Sequence, residues 1–252
     1  MNGGTQNQKP LGYTIVEVMI VLAVSGLMFL VAAVFISGKQ AKTSFAEGAN
    51  ELTSQIQSVI TQVNNGQYTD VPFLCNVTAG ALTYPSSGTP SSDCVFLGKF
   101  IRFGVNSDPS TYEVYTLAGD RQLSDLSTAK ITPVNDPNIN LTKQVTTPQS
   151  LQVTSVKVSV GGVAISNPQY GVGFLQINGQ NSGMYYAPAL TQYDPNAATR
   201  LTQAVANPNP LVAIDSATIC VTDGSQYGQI QIGGNGTSEL SVNLASISTT
   251  PC

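Results

Sequence analysis

An uncharged apolar stretch near the N-terminus constrains this chain more than any other feature. It runs from Val18 to Gly38, reads VMIVLAVSGLMFLVAAVFISG, and is 21 residues long. At the helical rise it covers roughly 31 Å, which matches a hydrocarbon core of about 30 Å. The apolar core of a secretory signal is typically about 7–15 residues, so a conventional cleaved signal, with Val31-Ala32-Ala33 as a weak cleavage site, is less favoured. We therefore expect a transmembrane segment at 18–38.

A helical pattern continues beyond this stretch. Apolar residues recur at alternating spacings of four and three, at Phe45, Ala49, Leu52, Ile56, Val59 and Val63. This spacing marks one face of an amphipathic helix. Asn64-Asn65-Gly66 is a stop signal, because Asn and Gly accept the left-handed conformation that ends helices. The pattern predicts one helix from about Thr14 to Val63 within a segment 13–66, crossing a membrane first and then packing on a domain.

One carboxylate stands at the start of the apolar run. Glu17 is flanked by Tyr13-Thr14-Ile15-Val16 and Val18-Met19-Ile20. An ionisable group inside a membrane span costs roughly 3 kcal/mol even on lenient scales, which favours a functional role. The alternative is a carboxylate that snorkels to the interface from the end of the span. Position by itself leaves the two interpretations open.

The residues from Lys9 to Val18, KPLGYTIVEV, resemble the class III signal of type IV pilins and type II secretion pseudopilins. That signal has a short polar leader ending in Gly, then an aromatic residue, Thr, two aliphatic residues and Glu. The resemblance covers roughly the first 60 residues. It implies a leader at 1–12, cleavage after Gly12 by a prepilin peptidase, and N-methylation of Tyr13. It also implies that Glu17 pairs with the terminal amine of a neighbouring subunit during filament assembly.

The resemblance also implies partners and a location. The partners are other pilin or pseudopilin subunits, an inner-membrane assembly platform and membrane lipid. The chain would be stored as a single-pass inner-membrane protein with its C-terminal domain outside, and would then enter an extracellular or periplasm-spanning filament. Gly26 lies where many pilins have a glycine that loosens the helix. Val34 replaces the helix-kinking proline of many major pilins, which is more typical of pseudopilins and some minor pilins.

Three functions follow as expectations. The first is a structural subunit of a type IV pilus, a minor or large pilin serving adhesion, motility or uptake. The second is a pseudopilin of a type II secretion system. The third is a membrane-anchored ligand-binding domain that never polymerises.

Residues 67–252 show strand patterns, and the expected fold class is α+β. Val156–Val160, Ile230–Ile232 and Leu240–Leu244 alternate apolar and polar residues, as half-buried strands do. Further strand candidates are 95–105, 112–117, 172–178 and 213–221, and a short helix is expected at about 194–206. An antiparallel sheet packed on the long helix would form a β-rich exported domain, again as in the pilin family.

Four cysteines lie outside the apolar segment: Cys75, Cys94, Cys220 and Cys252. They allow three pairings, and proximity in sequence favours Cys75–Cys94 with Cys220–Cys252. Four separate buried thiols are the alternative. Disulfides would place residues 39–252 on the oxidising side of the membrane. The second pair resembles the disulfide-bounded loop near the end of many pilins.

Composition disfavours several other classes. Charged residues make up only 10% of 252, and the net charge of −4 with 10 Lys+Arg is poorly suited to nucleic acid. The chain has no histidine, which excludes His-dependent triads and imidazole metal sites. No S-x-x-K motif supports a Ser–Lys dyad, and the Asp residues are too scattered for a calcium loop. We expect no enzyme, no metal and no cofactor.

Overall fold

A computed structural model describes residues 13–66, 76–78, 81–83, 94–105, 108–120, 132–133, 142–169, 171–176, 183–186, 212–233 and 240–252. The side chains of residues 33–38 and of several strand ends are outside this description. The chain divides into two compact units, Met1–Ser44 and Phe45–Cys252. Each unit is described separately below.

One long helix, α1, spans Ile15–Asn64 and is 50 residues long. Its bounds differ by one residue at each end from the predicted 14–63. Thr14 caps the start of α1, and the helix ends at the predicted stop signal Asn64-Asn65-Gly66. Gly66 has φ +60°, and its N–H donates to the Val63 carbonyl at 3.0 Å. The left-handed residue satisfies a carbonyl of the last turn, as helix C-terminal motifs do.

Within Phe45–Cys252, seven strands form one antiparallel sheet. Their order is β11-β10-β9-β3-β4-β5, and β6 also pairs with β4. The bounds are β3 Cys94–Val105, β4 Asp108–Asp120, β5 Thr132–Pro133, β6 Thr142–Thr146, β9 Gly171–Leu175, β10 Gly183–Tyr186 and β11 Val212–Ile214. A separate two-stranded ribbon joins β1 Asn76–Thr78 to β2 Ala81–Thr83. A short 3₁₀ turn, Pro148–Ser150, follows β6.

A second antiparallel sheet has five strands in the order β14-β13-β12-β7-β8. The bounds are β7 Gln152–Val160, β8 Val163–Gln169, β12 Ser216–Thr222, β13 Tyr227–Gly233 and β14 Val242–Ser248. Gly161 and Gly162, with φ +57° and +78°, form the two-residue turn between β7 and β8. Such a turn needs left-handed backbone at both positions, which glycine adopts without a steric penalty.

Asp215 marks the point where the chain passes from the first sheet to the second. We expected a single strand at 213–221, but β11 ends at Ile214 and β12 begins at Ser216. The Asp215 N–H donates to the Ser159 carbonyl at 2.8 Å, and its carboxylate accepts from the Gly162 N–H at 2.9 Å. These contacts bend the chain at a residue that the sequence interpretation placed inside a strand.

The core of Phe45–Cys252 lies between the C-terminal part of α1 and the two sheets. The buried helical face consists of Phe45, Ala49, Leu52, Ile56, Val59, Ile60 and Val63, all of which belong to one hydrophobic cluster with strand residues of both sheets. The expectation of an α+β fold with antiparallel sheets is therefore confirmed. The predicted helix at 194–206 lies outside the described residues.

Three glutamines on the flanks of α1 bind the strands beside it. Gln55 Oε1 accepts a hydrogen bond from the Tyr112 hydroxyl at 2.7 Å, and Gln57 Oε1 accepts from the Val242 N–H at 3.2 Å. Gln62 Oε1 accepts from Lys99 Nζ. These contacts fix the rotation of the helix, because each side chain satisfies a polar group next to the core.

Candidate functional site

The helix start places Glu17 in a capping arrangement. Thr14 Oγ1 accepts a hydrogen bond from the Glu17 N–H at 3.3 Å, and the Thr14 carbonyl accepts from the Val18 N–H at 3.2 Å. The spacing Thr-x-x-Glu is that of a capping box, and the bond from the Glu17 N–H to the Thr14 hydroxyl satisfies one orphan N–H of the first turn. A carboxylate in the first turn also meets the positive end of the helix dipole. The N-cap at Thr14 was readable in the sequence but was missed there.

The helical surface after Glu17 is apolar and exposed within this chain. Ile15–Ala32 forms one helix long and apolar enough to cross a membrane, and no part of it is buried. Tyr13 is 82% exposed and Phe29 is 78% exposed. An apolar surface this continuous is suited to contact with lipid or with other apolar helices, since soluble monomers rarely expose one. The predicted segment 18–38 lies inside α1, but the side chains of 33–38 are outside the description.

Glu17 is the one charged residue of Ile15–Ala32. Within the described ranges, no ion pair reaches its carboxylate. In lipid or in an apolar helix bundle, an unpaired carboxylate is costly, while a paired one roughly breaks even. The arrangement can therefore accept a cation from another molecule. Gly12, the predicted cleavage residue, lies outside the described residues, and Tyr13 lies two residues before the helix begins at Ile15.

Gly26 lies inside α1, where the helix is continuous. A Cβ placed on Gly26 would meet nothing within 4 Å in this chain. Packing within this chain therefore does not require a glycine at position 26. The predicted role of Gly26 in loosening the helix stays a prediction.

The structure brings Cys220 and Cys252 together. Both are free thiols, Cys220 buried on β12 and Cys252 half-buried. Burial, followed by the hydrogen bond and charge of the Cys220 thiol, raises the pKa of Cys252 to about 11. Cys252 Sγ also lies 3.6 Å from the Gly228 carbonyl oxygen on β13, and Lys157 Nζ on β7 donates to the Cys252 carbonyl. The segment after β14 therefore returns across β13 and β12 toward β7.

The distance between the other two cysteines is not known, because their side chains are not described. Cys75 lies outside the described residues, and Cys94 begins β3 but its side chain is not described. The pairing of Cys75 with Cys94 stays a prediction. Among the described residues, no group of three or more Cys, Asp or Glu side chains could hold a metal ion.

A buried polar cluster on β3 and β4 was missed by the sequence reasoning. Arg102 Nη1 lies 3.6 Å from Glu113 Oε2, and the Tyr115 hydroxyl donates to the same oxygen. Burial raises the pKa of Tyr115, and the Glu113 carboxylate raises it further. Arg102 and Glu113 are direct cross-strand partners. Because the groups satisfy one another, the cluster is best understood as a neutralised part of the sheet interior.

An open groove runs along the exposed side of α1 next to β14. Its volume is about 540 Å³, and its lining is uncharged: Asn50, Thr53, Ser54, Gln57, Ser58, Thr61, Gln62 and Val242. No residue of the sequence-predicted site lines it. A groove this open, whose polar groups are hydroxyls and amides, holds no nucleophile–base pair and has the character of a contact surface.

Comparisons of the chain with protein-family models, with curated proteins and with solved structures find no match to any of them.

Proposed function

We propose that this chain is a prepilin-like structural subunit that assembles through its N-terminal helix into a type IV pilus, as a minor or large pilin. The observation that carries the proposal is the fully exposed apolar segment Ile15–Ala32 with Glu17 as its one charge. A membrane anchor requires only the apolar residues of this segment. A carboxylate at the start of the segment also requires a partner of opposite charge.

Processing would supply that partner. Cleavage after Gly12 by a prepilin peptidase leaves a charged amine on Tyr13, and N-methylation keeps the charge. The amine of one subunit then pairs with Glu17 of its neighbour while the apolar helices bundle. Because a buried ion pair adds little net stability, its role is to set the axial register of subunits. Within one subunit, Thr14 holds the first turn in helical form, so the carboxylate is presented from a fixed position.

Storage before assembly requires the membrane. The exposed segment matches a bilayer in length, so lipid covers the surface that neighbouring helices cover later. The subunit would then be a single-pass inner-membrane protein with the β-rich domain outside, handed to an assembly platform in the same membrane. A disulfide between the adjacent Cys220 and Cys252 would fit this exported location.

A secretion pseudopilin is the second candidate, and one observation favours it. The helix Ile15–Asn64 is continuous and has no proline. An uninterrupted helix is more typical of pseudopilins and some minor pilins than of major pilins. Both candidates polymerise through the same residues. A non-polymerising anchored domain is the third possibility, and it requires neither cleavage nor Glu17.

The decisive experiment determines the mature N-terminus. The full chain is expressed with a prepilin peptidase, purified from membranes in detergent, and its N-terminal peptide is identified by mass spectrometry. The expected product starts at N-methylated Tyr13, and a Gly12→Val variant, the matched control, keeps its leader. An intact Met1 in the parent chain would overturn the proposal. Cleaved chains that never form filaments by immunogold microscopy would favour the non-polymerising domain instead.

A further inference from the structure

Two lysines directly follow the apolar span of α1. Lys39 is the first charged residue after Glu17, and Lys42 is the next. Both lie inside the helix Ile15–Asn64, and both side chains are exposed within this chain. Residues three apart on a helix are neighbours, so the two side chains lie on the same side. A pair of positive charges therefore stands at the C-terminal end of the span, opposite to the end that carries Glu17.

Neither lysine has a carboxylate within reach along the helix. The positions three and four residues before and after each lysine hold no Asp or Glu. Within the described ranges, no ion pair reaches Lys39 or Lys42. Like charges at neighbouring helix positions repel one another, and an anion shared between them would remove that repulsion. The pair is therefore suited to a negatively charged group from outside the chain.

Helix geometry places the two lysines at the depth of lipid phosphates. The 21 uncharged residues from Val18 to Gly38 cover roughly 31 Å, which is about the thickness of the hydrocarbon core. Lys39 and Lys42 then lie about 1.5 Å and about 6 Å beyond the edge of that core. The headgroup layer adds roughly 5–7 Å on each side of the bilayer, so both residues lie within it. The long lysine stems let both ammonium groups reach the phosphates.

We propose that Lys39 and Lys42 together bind the phosphate groups of anionic phospholipids in the leaflet at the C-terminal end of the span. Each ammonium is a point charge with three donors, which suits a phosphate oxygen. A zwitterionic lipid also has a phosphate, but the cation of its headgroup offsets that charge, so the pair selects lipids of net negative charge. The contact sets the depth of the helix in the bilayer. The inference rests on the proposed function for the presence of a bilayer around this span, and it requires neither cleavage nor a filament.

Native mass spectrometry of the full chain in detergent tests this site. The parent chain and its variants are mixed with phosphatidylglycerol and phosphatidylcholine of identical acyl chains, and the ratio of the two lipids retained is measured. Lys39→Gln and Lys42→Gln should each lower the share of phosphatidylglycerol, by about fivefold in the ratio. The double variant should lose most of the preference, whereas Lys39→Arg/Lys42→Arg should keep it. Lys157→Gln, the matched control, removes an exposed lysine of β7 and should leave the ratio unchanged.

A lipid ratio in Lys39→Gln/Lys42→Gln equal to that of the parent chain would overturn the inference. An equal loss in Lys157→Gln would also overturn it, because the total charge of the chain would then decide which lipid is retained. A double variant that keeps its lipid ratio but forms fewer multimers would assign the two lysines to carboxylates of a second copy instead. An intact Met1 or an absence of filaments would contradict the proposed function alone, because lipid binding at this site requires only the span.

Discussion

The Tyr112 hydroxyl donates a 2.7 Å hydrogen bond to Oε1 of Gln55, a residue 57 positions earlier in the chain. This bond joins α1 to β4 at the margin of the core. Burial, with a contribution from the Glu51 charge, raises the pKa of Tyr112 to about 12 from an ordinary value of 10.0.

The raised pKa of Tyr112 predicts how stability depends on alkaline pH. Below pH 10 the hydroxyl is protonated in both the folded and unfolded states, so its contribution to stability is fully present. Between pH 10 and about 12 the unfolded state has lost the proton while the folded state keeps it. The unfolded state then binds fewer protons, and the free energy of unfolding falls as pH rises.

Tyr112→Phe tests this dependence. The variant loses one hydrogen bond, which is worth about 1 kcal/mol at neutral pH. Urea denaturation at pH 7 and at several values from pH 9.5 to 11.5 should show a smaller alkaline loss than in the parent chain. Tyr227→Phe, at a half-buried position on β13, is the control for removing a hydroxyl. If the free energy of unfolding of Tyr112→Phe fell with alkaline pH as steeply as that of the parent chain, the dependence would not come from Tyr112.

Two substitutions separate the proposed pairing of the Glu17 charge from the N-cap that Thr14 provides. Glu17→Gln keeps a side chain that can complete the capping box but removes the charge. Thr14→Ala keeps the charge and removes the cap, which costs the helix start about 1 kcal/mol. If pairing of Glu17 sets subunit register, filament yield should collapse in Glu17→Gln and fall only modestly in Thr14→Ala. Electron microscopy of sheared filaments measures this, and the reverse order would show that capping is the dominant role.

The adjacent Cys220 and Cys252 are predicted to form a disulfide in an oxidising compartment. The chain-entropy model predicts a stabilisation of about 3–4 kcal/mol for a loop of this length. Denaturation of the oxidised parent chain should therefore need more urea than that of Cys220→Ala/Cys252→Ala, which retains Cys75 and Cys94. Peptide mapping without reductant identifies the bond. Recovery of both thiols unmodified from exported protein would refute the pairing.

Attack by the Cys252 thiol on an oxidant should be slow at neutral pH. The thiolate is the attacking species, and the Cys252 pKa of about 11 leaves little thiolate at pH 7. Reduced protein mixed with oxidised glutathione should react at Cys252 with a rate that rises about tenfold per pH unit, levelling off only near pH 11. Mass spectrometry of quenched samples measures the rate at Cys252. A reaction rate at Cys252 that does not change between pH 7 and 9 would contradict the raised pKa of this thiol.

Gly171 on β9 leaves room for the ring of Phe100 on β3. A Cβ on Gly171 would lie 2.3 Å from Phe100 Cε1, and Phe100 is fully buried. Gly171→Ala should therefore overpack this side of the sheet and lower the free energy of unfolding by about 1–3 kcal/mol. The double variant Gly171→Ala/Phe100→Leu should lose less than the sum of the two single variants. If the two losses in the free energy of unfolding were strictly additive in urea denaturation, the contact between position 171 and Phe100 would be contradicted.

Part of the fold and of the candidate site was predictable from the sequence. The strands at 156–160 and 230–232 lie inside β7 and β13, because alternation reports burial of one face directly. The break at Asp215 was missed, although Asp215 interrupts the alternation that joins Ala213 to Ala217 and Ile219. The cluster of Arg102, Glu113 and Tyr115 also escaped detection, because its members meet only once the register of β3 and β4 is known.

The sequence by itself determined the long helix, the apolar segment that begins it and the position of Glu17 within that segment. These features depend on composition and on spacing over a few turns, and such local patterns do not need distant partners. Tertiary structure alone decided which strands share a sheet and that Gln57 reaches Val242 across 185 residues. Those contacts join segments far apart in the chain, and they arise from burial and hydrogen bonding summed over the whole domain.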